Sequence, residues 1–380
     1  MIACSVIRPA RGDACVTGVL VGGRWDEIWV LGATGRTGRA VAVRLRETGF
    51  RPVLVGRDRA RLEVIASELG GDPRIVVGTL DATLSILAQE APAVVVNTIG
   101  PFTNIAPRVV LACPAGTHYV DVANELAAVS DMLDPHEQAV ATDRTLVTGA
   151  GFGVLATESV VLQLCAGRPP AARVRVDALA SVAIEPGVIG SALAATIIDG
   201  VATGFRRIER GRIVRSWLAR DLERLTTPDG VTLSTASGPS GELVAAWRAS
   251  GAASVVAASS YAPTALAVRA LIPALSALLR LPPIRRLATD RLARVPVRAQ
   301  ERPREFSWAH ARVEWATGAT RDGWLRTGDG MDFTAAAVAN VAGRLARGEG
   351  RSGAYTPGAL FGPSLATDAG GQFILDHDAP

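Results

Sequence analysis

Three glycines near the N-terminus have the spacing of a phosphate-binding turn. Gly32, Gly35 and Gly38 follow the apolar run Ile28-Trp29-Val30-Leu31 and precede a helical stretch. A strand, a glycine turn and a helix open a dinucleotide-binding βαβ unit, in which glycines let the backbone approach the pyrophosphate. A tight structural turn without a ligand is the alternative. The residues predicted to hold the nucleotide here are Gly32, Thr34, Gly35, Arg36, Thr37 and Gly38.

A second signal follows the next predicted strand, Pro52–Val55. The strand ends in Gly56-Arg57, where NAD-binding proteins usually carry an acidic residue that binds the ribose hydroxyls. An arginine at this point favours a 2′-phosphate, so Arg57 predicts NADP as the cofactor. A solvated arginine is the alternative, because this chain is rich in that residue.

Further candidate residues follow the later strands. In an open parallel sheet the ligand binds beyond the carboxyl ends of the strands, so residues at these ends are expected to line the site. Asp81 is expected near the adenine, and the others near the ribose and nicotinamide. The predicted cofactor contacts beyond the first turn and Arg57 are Asp81, Asn97, Gly100, Pro101, Phe102 and Gly151.

Three residues around the fifth predicted strand are candidates for acid–base chemistry. Hydride transfer to a C=O, C=N or conjugated C=C bond needs a proton donor placed on the substrate. Asp121 is the first candidate, followed by Tyr119 and Glu125. The alternatives are that Asp121 caps the following helix and that Tyr119 is a core residue. His118 is interpreted as structural.

The elements that position these residues alternate regularly. Apolar β-branched runs alternate with helical patterns, which predicts an α/β fold with a doubly wound parallel Rossmann sheet. The predicted strands are 28–31, 52–55, 74–77, 93–97, 117–121 and 145–148, and the predicted helices between them include 60–69, 82–90, 108–115 and 125–142.

The pattern changes after residue 153 and predicts a second, α+β substrate domain. Its expected elements are a helix over 157–166, a strand over 173–180, a helix over 190–204, short strands and turns over 207–250 and a strand over 309–316. A helix is expected over Phe333–Arg347, followed by a Gly/Pro-rich loop. The predicted organisation is an extension over 1–25, an NADP-binding domain over 26–153, a substrate domain over 154–332 and a C-terminal helix and tail over 333–380.

Composition excludes several classes of chemistry. All 40 basic residues are arginine, so the chain has no Schiff-base lysine, no Walker lysine and no Tyr-x-x-x-Lys pair. The net charge of +4 is spread along the chain, and nucleic-acid binding is not indicated. The four cysteines have no C-x-x-C spacing, so neither a disulfide framework nor a metal site is expected.

Two apolar stretches bear on location. The first 25 residues resemble an export signal only loosely, because Asp13 interrupts a short apolar run, and a cytoplasmic location is expected. Residues 249–268 carry no charge but contain Gly251 and Pro263. A spanning helix is therefore not expected, whereas a substrate-covering or interfacial helix through Leu279 remains open.

The motifs together resemble a known family. The glycine turn, Val55-Gly56-Arg57-Asp58, the segment 97–102 and Gly116-Thr117-His118-Tyr119-Val120-Asp121 with Glu125 resemble the NADP-binding domain of saccharopine dehydrogenase-like oxidoreductases. This family includes saccharopine reductases and trans-acting enoyl reductases. The segment 330–335 and Gly190-Ser191 resemble the enoyl reductase-like branch more loosely. The resemblance implies an NADP-dependent oxidoreductase.

The chain departs from the family pattern after the sixth strand. Family members often carry Gly-Phe-Asp-Ser-x-Pro, whereas this chain has Gly151-Phe152-Gly153-Val154-Leu155-Ala156. The second domain also lacks the basic clusters expected for a dicarboxylate amino acid, and its apolar stretch suits a hydrophobic or carrier-bound substrate.

Three functions are compatible with these observations. The first is NADPH-dependent reduction of a C=N or conjugated C=C bond in a small-molecule biosynthetic intermediate. The second is a non-catalytic NADP-binding regulator or redox sensor, which the atypical segment 151–156 favours. The third, an atypical short-chain reductase, is opposed by the absence of lysine. A homodimer is left open.

Overall fold

A computed structural model describes residues 27–216 and 221–375, so the predicted N-terminal extension over 1–25 lies outside the described residues. The chain begins with β1 (Glu27–Leu31), α1 (Arg36–Glu47), β2 (Arg51–Gly56), α2 (Arg59–Leu69), β3 (Ile75–Val77), α3 (Leu80–Glu90), β4 (Val94–Asn97), α4 (Phe102–Ala112), β5 (His118–Asp121), α5 (Leu126–Leu133), α6 (His136–Ala141) and β6 (Thr145–Val147). This alternation confirms the predicted doubly wound arrangement.

The middle of the chain adds a second set of elements. These are α7 (Phe152–Cys165), β7 (Arg173–Leu179), β8 (Gly187–Val188), α8 (Ser191–Thr203), β9 (Arg206–Glu209), β10 (Arg212–Arg215), β11 (Glu223–Thr226), β12 (Thr232–Ser237), α9 (Glu242–Ser250), β13 (Ser254–Ser259), α10 (Leu266–Leu278), α11 (Pro282–Ala293) and β14 (Pro296–Val297).

The last part of the chain returns to both sheets. Its elements are β15 (Ser307–Glu314), β16 (Thr320–Thr327), α12 (Gly330–Ala346), β17 (Gly353–Tyr355), α13 (Pro357–Phe361), α14 (Ser364–Asp368) and β18 (Gln372–Leu375).

Within the described residues, the first sheet has seven parallel strands in the order β17-β6-β5-β4-β1-β2-β3. Its central strands are buried on both faces, and residues 28–31 and 94–96 are fully buried. Helices on both faces cover the sheet, as crossover connections in a parallel sheet require. The carboxyl ends of β1, β2, β4, β5 and β6 therefore meet at one edge, which is where the candidate residues lie.

The second sheet is mixed, in the order β10-β9-β13-β7-β15-β16-β18, with β12 pairing to β13 and to β11. Helices α7 and α9 pack against one face of this sheet. Because side chains alternate along a strand, Val174 and Val176 of β7 face these helices and are buried. Charged side chains of β7, β15 and β16 occupy the opposite face. The predicted second α+β domain is thus confirmed.

Three local predictions need correction. The helix expected over 125–142 is interrupted at Asp134-Pro135, since proline lacks the N–H that a continuous helix would use. The helix expected over 108–115 begins already at Phe102 and contains Pro107. The strands and turns expected over 207–250 end at residue 237, and 242–250 is helix α9. In the uncharged run 249–268 the structure has strand β13 followed by the start of α10, so a helix is present in the region through Leu279 where one was left open.

The tail after Gly348 is also more structured than expected. Instead of a loop it contains β17, which pairs with β6, and β18, which pairs with β16 of the second sheet. Glu158 of α7 holds this segment, since its carboxylate accepts hydrogen bonds from the Gly358 N–H at 2.8 Å and the Ala359 N–H at 3.1 Å. Burial raises the pKa of Glu158 to about 7.

A charged cluster lies on the open face of the second sheet. His310 is buried between two carboxylates, with Nδ1 3.1 Å from Asp177 Oδ2 and Nε2 2.9 Å from Asp322 Oδ1. Its ring lies 4.4 Å from the Trp324 ring, measured between centroids. Desolvation opposes the charged imidazole, but the two carboxylates outweigh it and raise the pKa of His310. Protonated His310, a residue of β15, therefore links this strand to Asp177 of β7 and Asp322 of β16.

Replacing His310 with Ala is expected to lower the free energy of unfolding by about 3 kcal/mol at pH 6. This is the lower end of the range for breaking a buried ion pair, because Arg175 stays bonded to Asp177. Because the folded-state pKa of His310 is raised, its contribution to the free energy of unfolding is fully present below the unfolded pKa of about 6.5. This contribution is lost as the pH rises through the folded-state pKa. Urea unfolding should therefore show a larger deficit at pH 6 than at pH 9.

His118 provides the matched control for this experiment. Burial lowers the pKa of His118, and its Nδ1 accepts a hydrogen bond from the Thr145 N–H at 3.0 Å, so the folded state favours the neutral ring. The deficit of His118→Ala should not shrink between pH 6 and pH 9. Equal deficits of His310→Ala at the two pH values would contradict a charged His310 in the folded protein.

Candidate functional site

The first glycine of the turn is required by both conformation and space. Gly32 has φ +82°, and a Cβ at this position would lie 2.7 Å from Thr98 Oγ1. Its N–H and that of Ala33 donate to the carbonyl of Val55 at 3.0 and 3.1 Å. The turn is therefore fastened to the end of β2, and its conformation favours glycine.

The second and third glycines differ in what surrounds them. A Cβ at Gly38 would lie 2.3 Å from the carbonyl oxygen of Gly32, so Gly38 lets α1 pack closely against the turn. At Gly35 the nearest atom, the same oxygen, would be 3.2 Å away, and the residue is exposed. Gly35 is also the N-cap of α1. The turn is thus open at Gly35 beside a helix N-terminus, which fits a phosphate group.

Two arginines lie at the end of β2. Arg57 is exposed, and its side chain has no hydrogen-bond or ion-pair partner within residues 27–216 and 221–375. Arg61, one helical turn later, donates from Nη2 to the Thr34 carbonyl of the glycine turn at 2.7 Å. Sequence reasoning identified Arg57 and missed Arg61, although the spacing of four residues could have indicated it.

Three other predicted cofactor residues have different surroundings. Arg36 is directed to the second domain, donating to the Ala183 carbonyl at 2.7 Å and pairing with Glu185 at 3.2 Å. Thr37 is partly buried. Asp81 follows β3 at the outer edge of the sheet and pairs with Arg108.

The loop after β4 is organised by Asn97. This side chain is fully buried; Oδ1 accepts the Ile99 N–H at 3.0 Å, and Nδ2 donates to the Tyr119 hydroxyl at 3.1 Å. The peptide bond between Gly100 and Pro101 is cis. Phe102 then begins α4. Asn97 therefore shapes the loop from within, whereas Gly100 and Pro101 are partly exposed.

Tyr119 and Asp121 form a closed hydrogen-bonded network. Both are fully buried, and the Tyr119 hydroxyl donates to Asp121 Oδ2 at 3.0 Å. Asp121 Oδ1 accepts from Thr148 Oγ1 at 2.9 Å and from the Gly149 and Ala123 N–H groups at 3.0 Å. Burial raises the pKa of Asp121 to about 6 and that of Tyr119 well above its usual value. The network joins the ends of β5 and β6.

Glu125 follows β5 of the first sheet and lies against elements of the second domain. Its side chain is 7% exposed, and Oε1 accepts a hydrogen bond from Thr196 Oγ1 of α8 at 2.6 Å. Oε2 accepts the Asn124 N–H at 3.2 Å, and the backbone forms a bridge with Ser240. Of the three predicted catalytic residues, Glu125 is the one held by a side chain of the second domain.

A second carboxyl group lies close by and was missed by sequence reasoning. Glu242 begins α9 and is 4% exposed, and its Oε1 would be 2.2 Å from a Cβ on Gly153. Its Oε2 has no hydrogen-bond partner in the described part of the chain. Burial raises the pKa of Glu242. The carboxyl group thus approaches the first turn of α7, next to the predicted nicotinamide side.

The N-terminus of α12 completes this region. Asp329 caps the helix, accepting the Met331 N–H at 2.7 Å, and Thr334 Oγ1 accepts the Phe152 N–H at 3.0 Å. The Phe333 ring packs edge-on against the Phe152 ring, with 5.8 Å between the ring centroids. A Cβ on Gly151 would meet Thr334 Cγ2 at 3.7 Å, an ordinary van der Waals contact, so this predicted cofactor contact is partly enclosed by the N-terminus of α12.

The remaining predictions concern thiols and metals. Cys113 and Cys165 are free thiols, and burial raises their pKa to about 12 and about 11. Cys4 and Cys15 lie outside the described residues. Within the described ranges, no cluster of His, Cys, Asp or Glu could hold a metal ion.

Comparison with known proteins agrees with this geometry. Residues 28–147 match the family model described as the saccharopine dehydrogenase NADP binding domain. The first domain is of the saccharopine dehydrogenase NADP-binding type. The predicted cofactor, NADP, is confirmed for this domain, and the residues that contact it remain predictions.

Several curated relatives are similar over the same part of the chain. The trans-acting enoyl reductase of Mycobacterium tuberculosis (strain ATCC 25618 / H37Rv) is 33% identical over 146 residues, which is 36% of this chain and 35% of the relative. The protein of the same name from Mycobacterium ulcerans is 36% identical over 135 residues, covering 33% of this chain and 32% of the relative. The matches span about a third of each relative's length.

A solved structure resembles nearly the whole chain. Apo saccharopine dehydrogenase (L-Glu forming) from Saccharomyces cerevisiae superposes with a TM-score of 0.57 over 93% of this chain and 100% of that chain. The sequence identity is 13%, so this similarity concerns the fold. The shared fold therefore includes the second domain as well as the NADP-binding domain.

We expect this protein to bind NADPH at least about tenfold more tightly than NADH, and Arg57→Ala to abolish this preference. A guanidinium paired with a phosphate contributes about 1.5–3 kcal/mol as a charge-assisted contact, and about 1.4 kcal/mol corresponds to a factor of ten. Calorimetric titration of both nucleotides measures the ratio.

Arg59 is the matched control, because it lies two residues after Arg57 at the start of α2, is exposed and pairs with Glu63 at 3.5 Å. Arg59→Ala should keep the preference. Equal affinity of the unmodified protein for NADPH and NADH would refute the role of Arg57.

Proposed function

We propose that this protein is an NADPH-dependent reductase of a C=C bond conjugated to a carbonyl group, in a hydrophobic or carrier-bound intermediate. One observation carries the proposal. The open glycine turn, the exposed Arg57 and the buried carboxyl groups of Glu125 and Glu242 all lie at the edge where the strands of the first sheet end.

The residues fit the cofactor. The space at Gly35, which a Cβ would fill, lies at the N-terminus of α1, and Arg57 is available for a 2′-phosphate. When bound, NADPH supplies the hydride. Arg57 and Arg61 would hold the adenosine end, and the loop over 97–102 would border the ribose and nicotinamide.

The protein itself must supply the proton that the substrate receives. Reduction of a conjugated C=C bond places a hydride on the β-carbon and a proton on the α-carbon, and the carboxylate left behind is reprotonated from solvent. Glu125 is the proposed donor, because it lies between the domains and Thr196 orients it. Glu242 is the second candidate, since burial favours its protonated form.

The substrate class is inferred from the surroundings of this edge. The segment 151–154 at the start of α7 carries no polar side chain, whereas polar residues there would favour a charged amino acid. The relatives named enoyl reductases support a C=C bond in preference to a C=N bond. A cytoplasmic location is part of this proposal, because NADPH is required.

Single-turnover oxidation of NADPH tests the proposal. The unmodified protein is mixed with stoichiometric NADPH and a panel of enoyl thioesters, enones and cyclic imines, and absorbance of the reduced nicotinamide is followed. We expect oxidation with enoyl thioesters or enones. If NADPH is oxidised with the cyclic imines alone, the proposed substrate changes from a conjugated C=C bond to a C=N bond.

The same experiment separates catalysis from regulation. Tight NADPH binding without oxidation by any compound in the panel would favour the non-catalytic regulator. Gly35→Val, which should not bind the nucleotide, provides the background rate for free NADPH.

A further inference from the structure

Helix α10 has its polarity inverted relative to a water-facing helix. Its buried positions include the two polar residues Arg269 and Ser276, together with Ile272 and Leu279 just beyond its end. The outward positions are apolar. We call the following four residues the α10 ridge, with their exposed fractions: Val268 48%, Leu271 61%, Leu275 44% and Leu278 47%.

The α10 ridge is held firmly in place. Arg269 donates to the Pro263 carbonyl at 3.1 Å and lies 4.2 Å from the centre of the Phe205 ring. Ser276 Oγ donates to the Ala202 carbonyl of α8 at 2.6 Å. These bonds commit the polar side chains inward, so the helix cannot rotate to hide its leucines without breaking them.

The apolar surface extends beyond one helix. Helix α8 packs against both α10 and α11, and it leaves Leu193 53% and Ile197 42% exposed. Leu281 and Leu287, in and before α11, are exposed as well. An apolar area of this extent is typical of an interaction surface, since single exposed leucines are common but such groups are not.

Charge identifies the kind of partner. Residues 266–298 contain seven arginines and one acidic residue, a formal charge of +6, against +4 for the whole chain. Five of these arginines are exposed and lie in the segment 280–298 that contains α11 and β14: Arg280, Arg286, Arg291, Arg294 and Arg298. The apolar surface is therefore next to a positively charged one.

Length determines how such a helix can meet a membrane. The 13 residues of α10 extend about 20 Å, which is shorter than the hydrocarbon core of about 30 Å. Among the described residues, we find no helix with the length and apolar character needed for a membrane span. An apolar helical face beside arginines is typical of helices that lie in the interface of an anionic bilayer.

We propose that the α10 ridge and the arginines of α11 dock this protein on an anionic lipid surface. The leucines enter the boundary between headgroups and acyl chains, and the arginines contact the phosphates. A second copy of the chain is disfavoured as the partner, since a symmetric dimer through this face would bring two +6 segments together.

Vesicle flotation tests the proposal without any enzymatic assay, so it is independent of the proposed reductase function. The full chain is mixed with vesicles of phosphatidylcholine, with and without phosphatidylglycerol. We expect flotation with the anionic vesicles, weakened by about 1 M salt, where the Debye length is about 3 Å. Arg286→Gln/Arg291→Gln should weaken it as well.

A matched pair of variants isolates the ridge. Leu271→Gln/Leu275→Gln should lower the partition coefficient about tenfold or more, given the burial of two leucines. Val64→Gln/Leu111→Gln changes two apolar residues of the first domain that are 58% and 84% exposed, and it should leave the partition coefficient unchanged. Thermal melting confirms that both variants fold, which is expected for exposed positions.

Two results would overturn the proposal. One is the absence of flotation with anionic vesicles, or equal flotation of both double variants. The other is a homodimer, detected by light scattering, that Leu271→Gln/Leu275→Gln converts to a monomer, because a second copy would then cover the ridge.

Discussion

Replacing Glu125 with Gln is expected to lower the single-turnover rate of NADPH oxidation by about 10²–10⁴-fold, the usual cost of removing a general acid. NADPH affinity should be unchanged, because Glu125 follows β5 whereas the glycine turn follows β1. Gln keeps the acceptor for the Thr196 hydroxyl, so the domain contact at 2.6 Å is retained. Stopped-flow absorbance and calorimetric titration measure rate and affinity.

Variants of the neighbouring carboxyl and phenol groups serve as controls. Glu242→Gln should lower the rate less than Glu125→Gln if Glu125 is the donor. Tyr119→Phe and Asp121→Asn alter a fully buried network and should affect thermal stability more than rate. If the Glu125→Gln variant oxidises NADPH at the rate of the unmodified protein, the assignment is refuted. A large loss of rate in the Asp121→Asn variant alone would restore Asp121 as the first candidate.

Gly35→Val is expected to abolish NADPH binding with little loss of thermal stability. Gly35 has φ −81°, which any residue adopts, and a Cβ there would lie 3.2 Å from the Gly32 carbonyl oxygen, so the turn must shift by only a few tenths of an ångström. The valine side chain would fill the space that the pyrophosphate needs. Calorimetry with NADPH and a melting curve give the two quantities.

Gly38→Ala provides the contrast. Its Cβ would lie 2.3 Å from the Gly32 carbonyl oxygen, a backbone atom, so α1 must shift and stability should fall. The pair separates the glycine needed for the ligand from the glycine needed for packing. Normal NADPH affinity in a folded Gly35→Val protein would contradict a nucleotide site at this turn.

The first sheet could be predicted from the sequence, because its strands are short β-branched runs separated by helices. Strand β17 could not be predicted in this way. Residues 353–355 are Gly-Ala-Tyr in a glycine-rich context, with no β-strand pattern, and their pairing with β6 is a tertiary interaction. Helix α9 was missed because residues 242–246 are all buried, which removes the amphipathic period.

The candidate site was predictable to the extent that topology determines it. Residues after parallel strands meet at one edge, so Gly32, Arg57 and Glu125 could be grouped from the sequence. Arg61 could have been added from its spacing of four residues after Arg57, whereas Thr196 and Glu242 could not, because the packing of distant segments brings them to that edge. The burial of Asp121 also depends on the Thr148 and Gly149 contacts, which no local pattern shows.

The pairing of β17 with β6 has a consequence for biosynthesis. Some 200 residues separate these strands, and the ribosome needs roughly 10–40 s to translate them at 5–20 residues per second. During this time the nascent first sheet ends in an open β6 edge, with backbone groups able to pair with another chain. Slow synthesis of the second domain would prolong this exposure, and chaperone binding to the unfinished chain would protect it.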